Sequence, residues 1–214
     1  MPFTLLLGIP LINIIYVYLN NSQRGIHTLV TDLDRSIPFV KAFAIPYLLW
    51  SPYLFLTLVF LCLRYREIYY RVIASLLISL MLFFIIYYFF QTTVPRPNLS
   101  GNDLLTNLVR YVYKTDNPFN CFPSIHCLTS YLLIKGINRC SSKLTTAKII
   151  VITTSILIIL STQFIKQHVL LDLIFAIIIG NIIFKAVDYL SSEINLKCSV
   201  KSLRLPLLKN KVQV

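Results

Sequence analysis

The chain is short of charge. Asp, Glu, Lys and Arg make up 13% of its 214 residues, about half the share usual in a soluble domain. Acidic residues are the scarcer kind, 8 against 20 Lys and Arg, for a net charge of +12. Cysteines are few and scattered, at Cys62, Cys121, Cys127, Cys140 and Cys198. No C-x-x-C pair and no Cys/His ligand spacing occurs, so the sequence suggests neither a disulfide framework nor a zinc site. Cys121 and Cys127 are close in sequence, and a helix start between them is expected to keep them apart. There is no internal repeat and no low-complexity tract. The first apolar stretch, "FTLLLGIPLINIIYVYLNN", has no basic residue before it and no small-residue cleavage site, so it reads as a retained span, not a signal peptide.

What is abundant is apolar: 57% of residues are hydrophobic and the mean hydropathy is +0.74. Runs near 20 residues with almost no charge recur, the pattern of membrane-crossing helices. Six spans are predicted, at 3–20, 43–63, 72–92, 124–140, 148–165 and 169–190. The fourth is weakest because Lys135 interrupts it. The expected fold is an all-α, polytopic membrane helix bundle with six transmembrane helices over 1–190, followed by a basic cytoplasmic tail, 191–214, with little fixed structure. "RYREIYYR", 64–71, reads as a short basic turn. A net charge of +12 would suggest nucleic acid in a soluble protein. Here the basic residues flank apolar spans, so no nucleic-acid partner is expected. Thirteen Lys and Arg fall on one side, from Arg64 to Lys211, and seven on the other, from Arg24 to Lys166. The side with thirteen is expected to be cytoplasmic. A bacterial inner membrane, with both termini inside, is the expected location.

This orientation puts Arg96, His126, Lys166, His168 and Asp172 at one outer face. His168 and Asp172 are four apart, so on a helix they share a face. The carboxylate can take the imidazole Nδ1–H, fix the tautomer and leave Nε2 free to attack. "PSIH", 123–126, reads as a helix start with Pro123 in the first turn. Its free amides and the Ser124 hydroxyl would form an anion cradle, with His126 as a proton donor beside it. Arg96, between Pro95 and Pro97, has the fork of donors that suits phosphate. Lys166 supplies a second cation beside Gln163 and Gln167. Each feature alone has a plain reading as an interfacial residue. Together they describe a phosphoryl-transfer site in which cations and amides stabilise the transition state and no metal or cofactor is needed.

In order and spacing the chain resembles the type-2 phosphatidic acid phosphatase superfamily of integral membrane lipid phosphatases and phosphotransferases. The family's motifs are a Lys separated by six residues from Arg-Pro, then Pro-Ser-Gly-His, then Ser-Arg with His and Asp downstream. Their counterparts are Arg96-Pro97, Pro123-Ser124-Ile125-His126, and Ser161-Thr162 leading to His168 and Asp172. Three positions depart from the pattern: Phe89 stands for the Lys, Ile125 for the Gly, and Thr162 for the Arg, with Lys166 as a stand-in. These departures look like those of inositol phosphorylceramide synthase-like proteins. The resemblance implies that His168 attacks phosphorus to form a phosphohistidine, Asp172 orients it, and His126 protonates the leaving oxygen. Arg96, Ser124, Lys166 and Thr162 would hold the phosphate. The substrate would be a membrane lipid phosphate or diphosphate that stays in the bilayer.

Other polar features read more plainly. "TDLDRSIPF" is expected to lie on the membrane as an amphipathic segment, the alternative being a lip over the site. His27 reads as structural, and Trp50 as an interface and packing aromatic. Asn20 and Asn98 begin glycosylation-type triplets. Three functions remain: metal-independent lipid phosphatase, head-group phosphotransferase using the same site, and a non-enzymatic lipid-binding protein.

Overall fold

A computed structural model describes residues 8–21 and 25–209, without the side chains of 9–13 and 194–209. Eight helices occur among them: α1 Gly8–Leu19, α2 Asp32–Ser36, α3 Ala44–Arg64, α4 Arg66–Phe89, α5 Leu104–Thr115, α6 Ile125–Asn138, α7 Thr145–Phe164 and α8 Leu170–Lys209. Four stretches are long and apolar enough to cross a bilayer: Lys41–Arg64, Arg66–Phe89, Thr145–Phe164 and Leu170–Glu193. The first expected span lies partly outside the described residues. Its described part, α1, has 12 residues. The fourth, α6, has 14 residues, about 21 Å of helix at 1.5 Å per residue, against roughly 30 Å of hydrocarbon.

Two boundaries correct the sequence reading. The expected basic turn at 64–71 shrinks to Tyr65, whose φ of −142° and ψ of 61° break the helix; α4 restarts at once at Arg66. Residues 191–209 continue α8 as helix, where little fixed structure is expected from the sequence; the rest of the expected tail lies outside the described residues.

The short helix α6 is the centre of the bundle. It packs against α3, α4, α7 and α8, and Cys127, Leu128, Leu132, Leu133 and Ile137 are buried in the main core with Leu61, Val72, Leu76 and Phe184. Two glycines allow this close approach. A Cβ on Gly136 would stand 2.5 Å from Val72 Cγ2, and one on Gly180 would stand 2.9 Å from Leu128 Cδ1. Small residues at such crossings let helices approach where apolar burial alone does not drive association. Lys135 is accommodated by α8: its Nζ donates to Asn181 Oδ1 at 3.3 Å and lies over the Phe184 ring.

At one end of the bundle the connections are laced together. Two residues before α2 and two after α4 pair in parallel, His27 with Thr92 and Thr28 with Thr93. Thr92 also bridges Asn120, and its hydroxyl accepts the Phe122 N–H at 2.8 Å. The Ser124 amide donates to Asp172 O at 3.2 Å. These bonds bring the segment after α4, the start of α6 and the turn between α7 and α8 to one place. His27 is structural there, stacked on Phe90 with centroids 4.8 Å apart.

Candidate active site

His168 is in the tight turn after α7 and Asp172 in the first turn of α8. One carboxylate oxygen of Asp172 lies 3.1 Å from His168 Nδ1 and also accepts the Val169 amide at 3.0 Å. The carbonyl of Cys121 is 2.9 Å from the same Nδ1. Both neighbours are acceptors, so in the neutral ring the proton sits on Nδ1 and the lone pair on Nε2. The predicted pairing of His168 with Asp172 is therefore present.

His126, one residue into α6, is buried against two aromatic rings. Tyr47 stacks on it at 4.4 Å and Trp50 lies at 4.1 Å. Its ring centroid is 5.8 Å from that of His168. Trp50 packs inside the bundle, as expected of a packing aromatic: its indole N–H donates to Thr129 Oγ1 at 2.8 Å, which fixes the ring beside His126. Behind Tyr47 stands Asp116, whose carboxylate accepts hydroxyls from Tyr47 at 2.6 Å and Tyr16 at 2.7 Å. Neither Tyr47 nor Asp116 was singled out from sequence. The available signal was scarcity, because every buried carboxylate in so apolar a chain needs donors.

The cations are present but engaged. The Arg96 guanidinium donates to the carbonyls of Tyr113 and Asp116 and to Gln167 Oε1, and lies over the Tyr113 ring. Burial lowers its pKa. Lys166, with a left-handed φ of 55°, donates its ammonium to the carbonyls of Asp34 at 2.8 Å and Ile37 at 2.5 Å. Desolvation lowers its pKa although Asp34 opposes the change.

Asp34 overturns the expectation for "TDLDRSIPF". This segment packs over the site and does not lie on the membrane as an independent amphipathic element. One Asp34 oxygen accepts the Leu170 amide at the start of α8 at 2.7 Å. The other accepts the Thr31 amide at 2.8 Å in a capping box around α2. The segment therefore forms a strap, 30–39, one wall of a cleft of about 330 Å³ that also includes Arg96, Gln163, Lys166 and His168.

The remaining residues stand behind this cleft. Pro123 precedes α6 instead of occupying its first turn: Ser124 is the N-cap, and the Pro123 carbonyl accepts the Tyr87 hydroxyl at 2.5 Å. The Ser124 oxygen caps its own helix by accepting the Cys127 amide at 3.3 Å. Thr162 donates its hydroxyl to Ile159 O at 2.7 Å, and its carbonyl receives the amides of Gln167 and His168. Both residues are fully buried. Asn20 is also buried, with its side chain bonded to Phe119 and Asp116, which withdraws it as a glycosylation acceptor. Cys121 and Cys127 are free thiols, as are Cys62 and Cys140.

A family model described as PAP2 superfamily matches residues 25–186. No curated protein and no solved structure matches the chain.

Proposed function

Because the chain belongs to the type-2 phosphatidic acid phosphatase (PAP2) superfamily, we propose that it is an integral membrane lipid phosphatase working through a phosphohistidine. The observation that carries this reading is the His168 ring, with Nδ1 facing two acceptors and Nε2 left as the nucleophile. His168 Nε2 attacks phosphorus, and the bond from phosphorus to the lipid oxygen breaks. His126 in its protonated form gives its proton to that oxygen. Water then loses a proton to His126 and attacks phosphorus, and the P–N electrons return to Nε2. The two ring centroids are 5.8 Å apart, close enough for both imidazoles to act on one phosphoryl group. Arg96 and the helix start at Ser124 offset the charge of the phosphate, and Lys166 does so when the strap carbonyls release it.

The six-span layout belongs to this proposal, with α1 and the short α6 added to the four long helices. So do a membrane domain over 1–190, a basic tail from 191, and a bacterial inner membrane with the site facing outward, which rests on the thirteen-to-seven division of Lys and Arg.

The test is phosphate release from lipid phosphates in detergent with EDTA, comparing the wild type with His168→Ala. Activity that depends on His168 supports the reading, and equal rates end it. A parallel assay with an acceptor alcohol would show transfer if the acceptor were phosphorylated without free phosphate.

A further inference from the structure

The cleft wall carries a buried hydrogen-bond acceptor that the proposed chemistry does not use. Gln163 lines the cleft with His168 and is only 4% exposed. Its amide nitrogen donates to Thr162 Oγ1 at 3.1 Å and to Val169 O at 3.4 Å. Thr162 already spends its own hydroxyl hydrogen on Ile159 O, so both neighbours act as acceptors. This fixes which end of the amide is nitrogen. The oxygen, Oε1, is buried and has no partner among the described residues. Leaving such an atom unmatched is costly, and buried polar atoms nearly always have a partner.

Nearby groups have the opposite need. Arg96 Nε and Gln167 Nε2, both donors, are also buried without partners among the described residues. Arg96 lines the cleft, and Gln167 is bonded to it. Asp172 Oδ1 is a further unmatched acceptor, but it stands behind His168, whereas Gln163 itself lines the cleft. The two donors and the Gln163 oxygen suit a ligand that presents both acceptors and a donor. A bare phosphate supplies only the acceptors.

Resting on the phosphatase reading above, we infer that Gln163 is a specificity-determining residue that accepts a hydrogen bond from a hydroxyl on the alcohol carrying the phosphate. The favoured substrate class is a lipid phosphate monoester with a free hydroxyl close to the ester oxygen. A lipid without that hydroxyl leaves Gln163 Oε1 unpaired in the complex and binds less tightly.

The experiment compares 1-acyl-glycerol 3-phosphate with its 2-deoxy analogue. Binding is measured in detergent in the His168→Ala background, so the result does not depend on turnover. The hydroxyl lipid is expected to bind about tenfold more tightly, ~1.4 kcal/mol. With Gln163→Met added, the two lipids are expected to bind alike, with the deoxy lipid little changed. Equal affinities in the protein that retains Gln163 overturn the inference even if Gln163→Met does not fold. Discrimination that survives Gln163→Met overturns it as well. Failure of the wild type to release phosphate would count against the phosphatase reading, which the binding comparison does not test.

Discussion

At the scale of single residues, the important feature is that two acceptors share one ring nitrogen of His168. A carboxylate alone would orient the ring. The Cys121 carbonyl adds a second direction, so the ring cannot rotate about its bond to Asp172 without losing a bond. Asp172→Asn should leave the fold intact and lower kcat by about 10²–10⁴-fold, because an amide can present N–H to Nδ1 and reverse the tautomer. Phosphate release together with a circular dichroism melt would check this. A similar loss of folded protein would assign Asp172 to stability instead. Tyr47 allows a finer separation. Tyr47→Phe keeps the ring on His126 and removes the bond to Asp116, so stability should fall by about 1 kcal/mol while most activity remains. Tyr47→Leu removes the stacked ring as well, and kcat should fall further than for Phe. Equal kcat in the two variants would show that the stack does not position His126.

At the scale of elements, the strap and the central helix matter most. The strap is anchored by Asp34. Burial pushes the Asp34 pKa up, but hydrogen bonds from Thr31 and the Leu170 amide, with Lys166 nearby, outweigh it and hold the value below normal. A carboxyl with a depressed folded-state pKa stabilises fully above its unfolded value, about 3.9, and loses that contribution as pH falls through the folded value. The strap should therefore stay closed at neutral pH and loosen only in acid. Limited proteolysis at 30–39 should rise below about pH 4 in the wild type, and should already be high at pH 7 in Asp34→Asn. Protection that is the same in both proteins would sink this assignment. For α6 the relevant contact is Gly136 against Val72. Gly136→Leu has no room and should destabilise by about 1–3 kcal/mol, read as a lower detergent Tm.

Across the whole molecule, the cleft end is matched by an ionic clasp at the other. Asp188 stands 18 residues after the start of α8, about 27 Å along the helix. It accepts from Arg71 of α4 at 2.7 Å and from Arg139 at the end of α6. Asp188→Asn leaves the partly buried Arg71 and the exposed Arg139 without their counter-charge. It should lower the Tm, by about 1–3 kcal/mol of stability, and leave KM for a lipid phosphate unchanged. A change in KM without a change in Tm would mean that the clasp acts on the cleft instead.

Much of the fold was legible in the sequence, for a specific reason. A helix that crosses hydrocarbon needs an uninterrupted apolar run, and such a run is visible without knowing its neighbours. The four long helices were read this way. The start of α4 was missed because Arg66 and Arg71 look like a turn when no partner for Arg71 is known. Lys135 weakened α6 in the hydropathy because Asn181 and Phe184 were not in view. The pairing of His168 with Asp172 was legible because only four residues separate them, although His168 stands in the turn just before α8 and not on its face. The strap was read as lying on the membrane because Asp34 finds the Leu170 amide and Lys166 only across more than 130 residues of chain.

By itself, then, the sequence determined the apolar helices, the local pair His168 and Asp172, and the family motifs, all of which depend on near neighbours along the chain. Only the tertiary structure decided that Trp50 and Tyr47 hold His126, that Asp34 and Lys166 close one wall, and that Gln163 in the cleft wall keeps an oxygen without a partner among the described residues. Those outcomes depend on which donor meets which acceptor between distant segments, and spacing along a chain does not encode that distance.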